Sequence, residues 1–351
     1  MTSFKLKFAV LAALGIISAQ ASATGLVNLP LGSLYTLCNT TGNFGSGNVP
    51  TGSQPVPATA GANNTCAIVP APAALTTSPV ANYTFVAGTN VTRPLVVNNI
   101  YTNSLPVTVG SVKELVFRKP AASAPVTATP MCIYAAQITM SSAASAKIVN
   151  LNNRFFEAND IARAGFAGLA VSAGYAHIGG TTEPVYRIGR TYTSVQHRAL
   201  ATTPYWGING GAAAGTGYVA LPTTGSTASI NGVNPFSGLT PLITIGTLPN
   251  GVPNPGVGLA NPTVAQQQAT NNDNWIDFTF DVNALDDDGS TAAVSSTTYV
   301  QAACSTATPV AVPNAIRVRN TGQENSPFIS ISTDGFVPPG GTALPAPVVP
   351  F

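Results

Sequence analysis

Residues 275–282 read Trp-Ile-Asp-Phe-Thr-Phe-Asp-Val, and after the tryptophan apolar and polar side chains alternate without a break. Successive side chains of a strand point to opposite faces, so Ile276, Phe278, Phe280 and Val282 share one face and Asp277, Thr279 and Asp281 the other. That pattern predicts a half-buried antiparallel strand. Shorter runs of the same kind occupy 83–86, 95–97, 107–109, 114–117, 132–134, 185–195, 297–304, 315–319 and 328–332. Turn chemistry stands between them, at Asn98-Asn99, Lys119-Pro120, Thr129-Pro130 and Asp288-Gly289. Short β-branched runs punctuated in this way predict a mainly β fold. The expected architecture is an antiparallel β-sandwich, or a sandwich-like fold with long loops and at most one or two short helices. The helix expected is 153–166, where Phe155, Phe156, Ile161 and Phe166 are interleaved with Glu157, Asp160 and Arg163.

The N-terminus has the three parts of a secretory signal peptide in order. Lys5 and Lys7 form a basic start, residues 8–19 are uncharged and mostly apolar, and Ala21-Ser22-Ala23 offers a cleavage site. The apolar run falls short of the about 20 residues that span a bilayer, and no second long run follows, so no transmembrane helix is expected. Residues 1–23 are thus read as a signal for export to the periplasm, cell surface or exterior. Residues 24–80 are read as an irregular, disulfide-stapled N-terminal segment. Residues 81–335 are read as the β-sandwich-type domain, with a Gly/Pro-rich insertion at 199–272, and 336–351 as a Pro-rich tail.

Export decides how the cysteines are read. Cys38, Cys66, Cys132 and Cys304 make an even count, which in an oxidising compartment implies two disulfides. Of the three pairings, Cys38–Cys66 with Cys132–Cys304 is favoured, because it closes one loop and ties two distant strands. Without Lys5 and Lys7, twelve basic residues face twelve acidic ones, a net charge of zero. Nucleic acid as a partner is excluded by that balance, since it calls for a basic stripe. Residues 24–92 and 199–272 hold no charge at all. Neutral surfaces of this extent suit packing against other chains, and self-association or contact with other surface components is the partner expected.

Sites of chemistry are sparse. The nucleophile elbow, the zinc helix, the phosphate loop and the dinucleotide fingerprint are each missing in the required form. His177 and His197 read as packing or surface histidines. Asp277 and Asp281, four residues apart on a strand, have backbones roughly 13 Å apart, too far for a glycosidase pair. Asp286, Asp287 and Asp288, with Asp281 nearby, form the densest acidic cluster and a candidate calcium site, the alternative being a polar turn. Tyr205 and Trp206 are candidate stacking groups for a glycan, the alternative being a loop staple. Arg187 and Arg190 are candidate contacts for an anionic ligand, the alternative being the wet face of a strand. No cofactor is implied beyond that calcium. The reading that fits best is a secreted, non-enzymatic surface or envelope protein with a structural or adhesive role, a filament subunit or a surface-binding module. The alternatives are a periplasmic or extracellular carbohydrate- or ligand-binding protein, and a secreted hydrolase without a recognisable motif.

Overall fold

The computed structural model describes residues 25–32, 35–37, 67–119, 129–149, 153–178, 181–183, 185, 187–190, 194–195, 232–233, 272–285, 292–321 and 328–343. In chain order its strands are β1 (Val27–Leu29), β2 (Tyr35–Leu37), β3 (Thr84–Phe85), β4 (Val91–Val97), β5 (Val107–Arg118), β6 (Met131–Met140), β7 (Ala158–Arg163) and β8 (Val171–Ala176). They continue as β9 (Arg187–Gly189), β10 (Ser194–Val195), β11 (Gly232–Val233), β12 (Ile276–Val282), β13 (Thr297–Ala303), β14 (Ala311–Thr321) and β15 (Phe328–Phe336). Helical structure among the described residues is confined to short 3-10 turns, such as Ile100–Thr102 and Ala144–Ala146.

Two curled antiparallel sheets form a half-barrel, sandwich-like fold. The first runs β1-β8-β13-β6-β5-β3, with β4 also on β5; the second runs β15-β14-β7-β12-β9-β2. A separate ribbon pairs β10 with β11. Between the sheets, Val112, Val116, Tyr134 and Val300 from the first meet Ile161, Phe278, Ile316 and Val318 from the second in one apolar core. Each such side chain contributes about 1.5–3 kcal/mol when fully buried. The outer face of the first sheet is buried as well: Leu115, Phe117, Ile133 and Tyr299 lie with Leu75, Val80, Tyr83 and Phe85. Among the described residues before 81, Val69, Leu75 and Val80 pack on that face, and 27–29 and 35–37 supply β1 and β2, an end strand of each sheet.

Residues 158–163 are strand β7, central in the second sheet, and not the helix expected over 153–166. The cause is visible in the register. Ile161 sits between Phe278 of β12 and Val318 of β14, while Asp160 sits between Thr279 and Arg319. Both faces of β7 are buried, so charged residues occupy positions that a half-exposed strand would leave to water, and the resulting pattern mimics an amphipathic helix. Gly165 ends the strand with φ +102°, and a Cβ there would lie 2.6 Å from Val337.

β12 is the strand expected at 276–282, but it is not half-buried. Asp277 and Thr279 are as buried as Phe278 and Phe280. The runs at 107–109 and 114–117 merge into the single long strand β5, bent where the register with β4 shifts between Leu95 and Val96. Within 185–195, residues 187–189 and 194–195 are strands and belong to different sheets. β14 is interrupted between Val312 and Ile316, where Pro313 cannot donate to a ladder and Asn314 takes φ +59°.

The signal at 1–23, Cys38 and Cys66, Tyr205 and Trp206, Asp286 to Asp288, nearly all of 199–272 and the end of the tail at 344–351 lie outside the described residues. Among the described residues no helix is long and apolar enough to cross a membrane.

Candidate functional site

The interior contains charge. Glu114 of β5 points into the space between the sheets and is fully buried. Arg163 of β7 reaches it from the opposite sheet, with Nη2 donating to Glu114 Oε1 at 2.6 Å. Arg93 of β4 donates to the other carboxylate oxygen, and the Phe336 backbone N–H lies 3.3 Å from Oε1. Arg163 also donates to the Phe336 carbonyl at 3.1 Å and lies over the Tyr134 ring. Its Nε and Nη1 are buried without an acceptor. Burial pushes the Glu114 carboxyl up, against the pull of Arg163 and Arg93. The same burial pushes the Arg163 guanidinium down, against Glu114. One carboxylate thus links strands from both sheets.

A second group occupies the other face of the second sheet. Arg319 of β14 donates to Asp160 of β7 and to Asp277 of β12, each at 2.5 Å, and all three are buried. Thr279 Oγ1 donates to Asp277 Oδ1 at 3.3 Å. Arg317 donates to Ser332 of β15 and lies over the Trp275 ring at 5.7 Å. The pattern follows from register, since Asp160 stands directly between Thr279 and Arg319, with Asp277 two positions along β12. These charges cross-link β14, β7 and β12. With each carboxylate committed to arginine, the arrangement stiffens a sheet and offers no free base.

At the end of the sandwich lies a cleft of about 230 Å³, between the 304–310 loop and the 337–341 turn. The Cys132–Cys304 disulfide forms one wall, with Cα atoms 5.6 Å apart. Cys132 stands opposite Arg118 of β5 in the ladder, and both line the cleft with Tyr134, Pro309, Val310 and Val337. Arg118 donates to the carbonyls of Thr306, at 3.0 Å, and Ala307, and so holds the loop in place. Burial pushes the Tyr134 hydroxyl up to about 12. The walls suit a small apolar group, with one cation at the rim.

His177, just after β8, is half-buried, and burial pushes its pKa down. Its Nδ1 is 3.1 Å from Thr182 Oγ1 and 3.5 Å from Ser296 Oγ. Ser296 is buried and donates to the Glu183 carbonyl at 2.6 Å, so its proton is engaged by the backbone and the serine is not presented as a nucleophile.

Of the residues singled out in the sequence, Cys132 and Cys304 come together as expected. Arg190 is not on a wet face. It is buried, donating to the carbonyls of Leu29, Asp273 and Leu169, with Asp273 as ion partner at 4.0 Å. Arg187 lies in β9 opposite Leu37 and Thr279. Asp281 lies in β12. Among the described residues no three His, Cys, Asp or Glu side chains are grouped to hold a metal. Glu114, Arg163, Arg319 and Arg118 were not singled out. Glu114 had one available signal, an acid at the head of the apolar run 115–117. Comparison of the chain with protein-family models, curated proteins and solved structures finds no match.

Proposed function

We propose that the chain is an exported structural or adhesive protein of the cell envelope or exterior, which acts by surface contact and not by turnover. The observation that carries this reading is where the charge has gone. Glu114, Glu157, Asp160, Arg163, Glu183, Arg190, Asp277, Arg317 and Arg319 are buried. That is nine of the twenty-four charged residues left after position 23. Net charge away from zero keeps proteins apart in solution. Here the net is zero, and more than a third of the charges are spent inside. A surface so poor in charge favours contact with copies of itself or with other envelope components. The test is cell fractionation with sedimentation of the mature protein from 24 onward. The reading expects an exported protein whose apparent mass rises with concentration. A cytosolic, strictly monomeric protein that hydrolyses a polysaccharide or ester panel would overturn it.

The disulfide-walled cleft supports a second reading, an exported ligand-binding protein. Its apolar walls and Arg118 fit a small amphipathic anion. Arg118→Gln would then weaken binding of such a compound, read by calorimetry.

A further inference from the structure

The four ends of the two sheets are not alike. Among the described residues β1 and β2 have three residues each. At the third end β3 has two residues, and β4 carries Pro94, which has no N–H to offer a neighbour. Short strands and proline are ordinary means of keeping a sheet edge from pairing with another chain. The fourth end is β15, nine residues long, with the sequence Phe-Ile-Ser-Ile-Ser-Thr-Asp-Gly-Phe. It has no proline and no basic residue, and Asp334 is its one charge. Among the described residues β15 pairs with β14 alone. Alternate residues of such a strand turn both N–H and C=O away from the partner. At Phe336 these groups are met by Glu114 and Arg163, and Arg93 covers the ring at 5.3 Å. That shields the C-terminal end of the edge, and among the described residues no strand other than β14 pairs with the stretch before it.

Resting on the surface-contact reading above, we propose that β15 is the self-association edge and that its occupant is β15 of a second copy, antiparallel, across a twofold axis. Two considerations select this occupant for the isologous contact that a twofold axis requires. Antiparallel pairing about Ser332 sets Asp334 opposite Ser330, so the one charge of each strand never meets its like. From residue 24 onward twelve basic residues face twelve acidic ones, so no net charge opposes the approach of two copies. The product is one continuous sheet running through both protomers, with main-chain bonds supplying the affinity.

The test uses the mature chain from 24 onward. Asp334→Pro and Asp334→Lys, at an exposed position, each place on the edge a residue that natural edges use to prevent pairing. Both should raise the dimer Kd at least tenfold by sedimentation, with an unchanged circular dichroism spectrum. Asp334→Lys needs no backbone change, so it stands should the proline variant fail to fold. Ser332→Cys should give a covalent dimer on oxidation and Asp334→Cys should not, since only position 332 faces itself. If the wild type associates while Asp334→Lys leaves Kd unchanged and Ser332→Cys does not crosslink, the β15 contact is wrong and surface-contact function stands. A wild type that stays monomeric at every concentration overturns the β15 contact, and the surface-contact reading falls with it if that monomer is also cytosolic and hydrolytic.

Discussion

Glu114 and Arg163 show how a single residue can decide whether two sheets stay together. An ion pair out of water is costly to form, but removing one partner leaves a charge with no solvent and is costlier still, about 3–5 kcal/mol. Arg163→Met should therefore destabilise by about that much in urea titration, although Arg93 remains on the far carboxylate oxygen. The double variant Glu114→Leu with Arg163→Met should recover much of the loss, because a buried pair replaced by apolar groups of similar volume is often neutral. If the double variant is as unstable as the single, the carboxylate is holding Phe336 and β4 by more than its charge. His177 gives a pH response of definite sign. Burial lowers its folded pKa below the unfolded value, so the neutral form is favoured by folding. The stability it contributes is present above the unfolded pKa and is lost as pH falls through the folded one. Melting temperature should fall between pH 7 and pH 5, and the His177→Gln variant should show a shallower fall. Equal slopes in the two proteins would remove His177 from the account.

At the scale of the element, β7 is where sequence and structure part. Gly165 closes it at φ +102°, a region that L side chains rarely adopt, and Val337 fills the space a Cβ would take. Gly165→Ala should cost about 1–3 kcal/mol from backbone strain and overpacking together, measured by denaturant midpoint. A change within about 0.5 kcal/mol, the range of neutral surface substitutions, would mean that the 337–341 turn yields easily. The strands with one apolar and one polar face in sequence, β12 above all, were legible because period two has no helical equivalent. What was not legible was which polar faces are wet. Asp277 and Thr279 alternate like solvent-facing residues, yet Arg319 supplies from another strand the partner that lets them be buried. β7 failed for the same reason. Its charges have partners on β5 and β14, remote in sequence, and a local pattern cannot report a partner 49 or 159 residues away. The cleft was legible in its disulfide alone, since Arg118 enters it only through the β5–β6 register.

At the scale of the whole molecule, the chain between Cys132 and Cys304 contains β7, β8, β9 and β12, which belong to both sheets. The disulfide joins β6 to the end of β13, neighbours in the first sheet, across 172 positions of sequence. Its native geometry adds little that the ladder lacks, because Cys132 already stands opposite Ala302 and the Cys304 N–H already donates to the Pro130 carbonyl. The effect must fall mainly on the unfolded chain, which loses the freedom to separate its two ends. In the chain-entropy model a loop of this length is worth about 5 kcal/mol, and measured disulfides more often give about 2–4 kcal/mol. The double variant Cys132→Ala with Cys304→Ala should therefore lose about 2–5 kcal/mol in urea titration. It should also show a larger dependence on denaturant, since an unlinked chain exposes more surface when it unfolds. The far-ultraviolet spectrum of the folded variant should be unchanged, because the β6–β13 ladder does not depend on the sulfur atoms. A loss below about 1 kcal/mol with no change in slope would place the stabilisation in the ladder itself. The bridge would then matter for the wall of the cleft, where Cys304 anchors the start of the 304–310 loop and Arg118 holds it at Thr306 and Ala307.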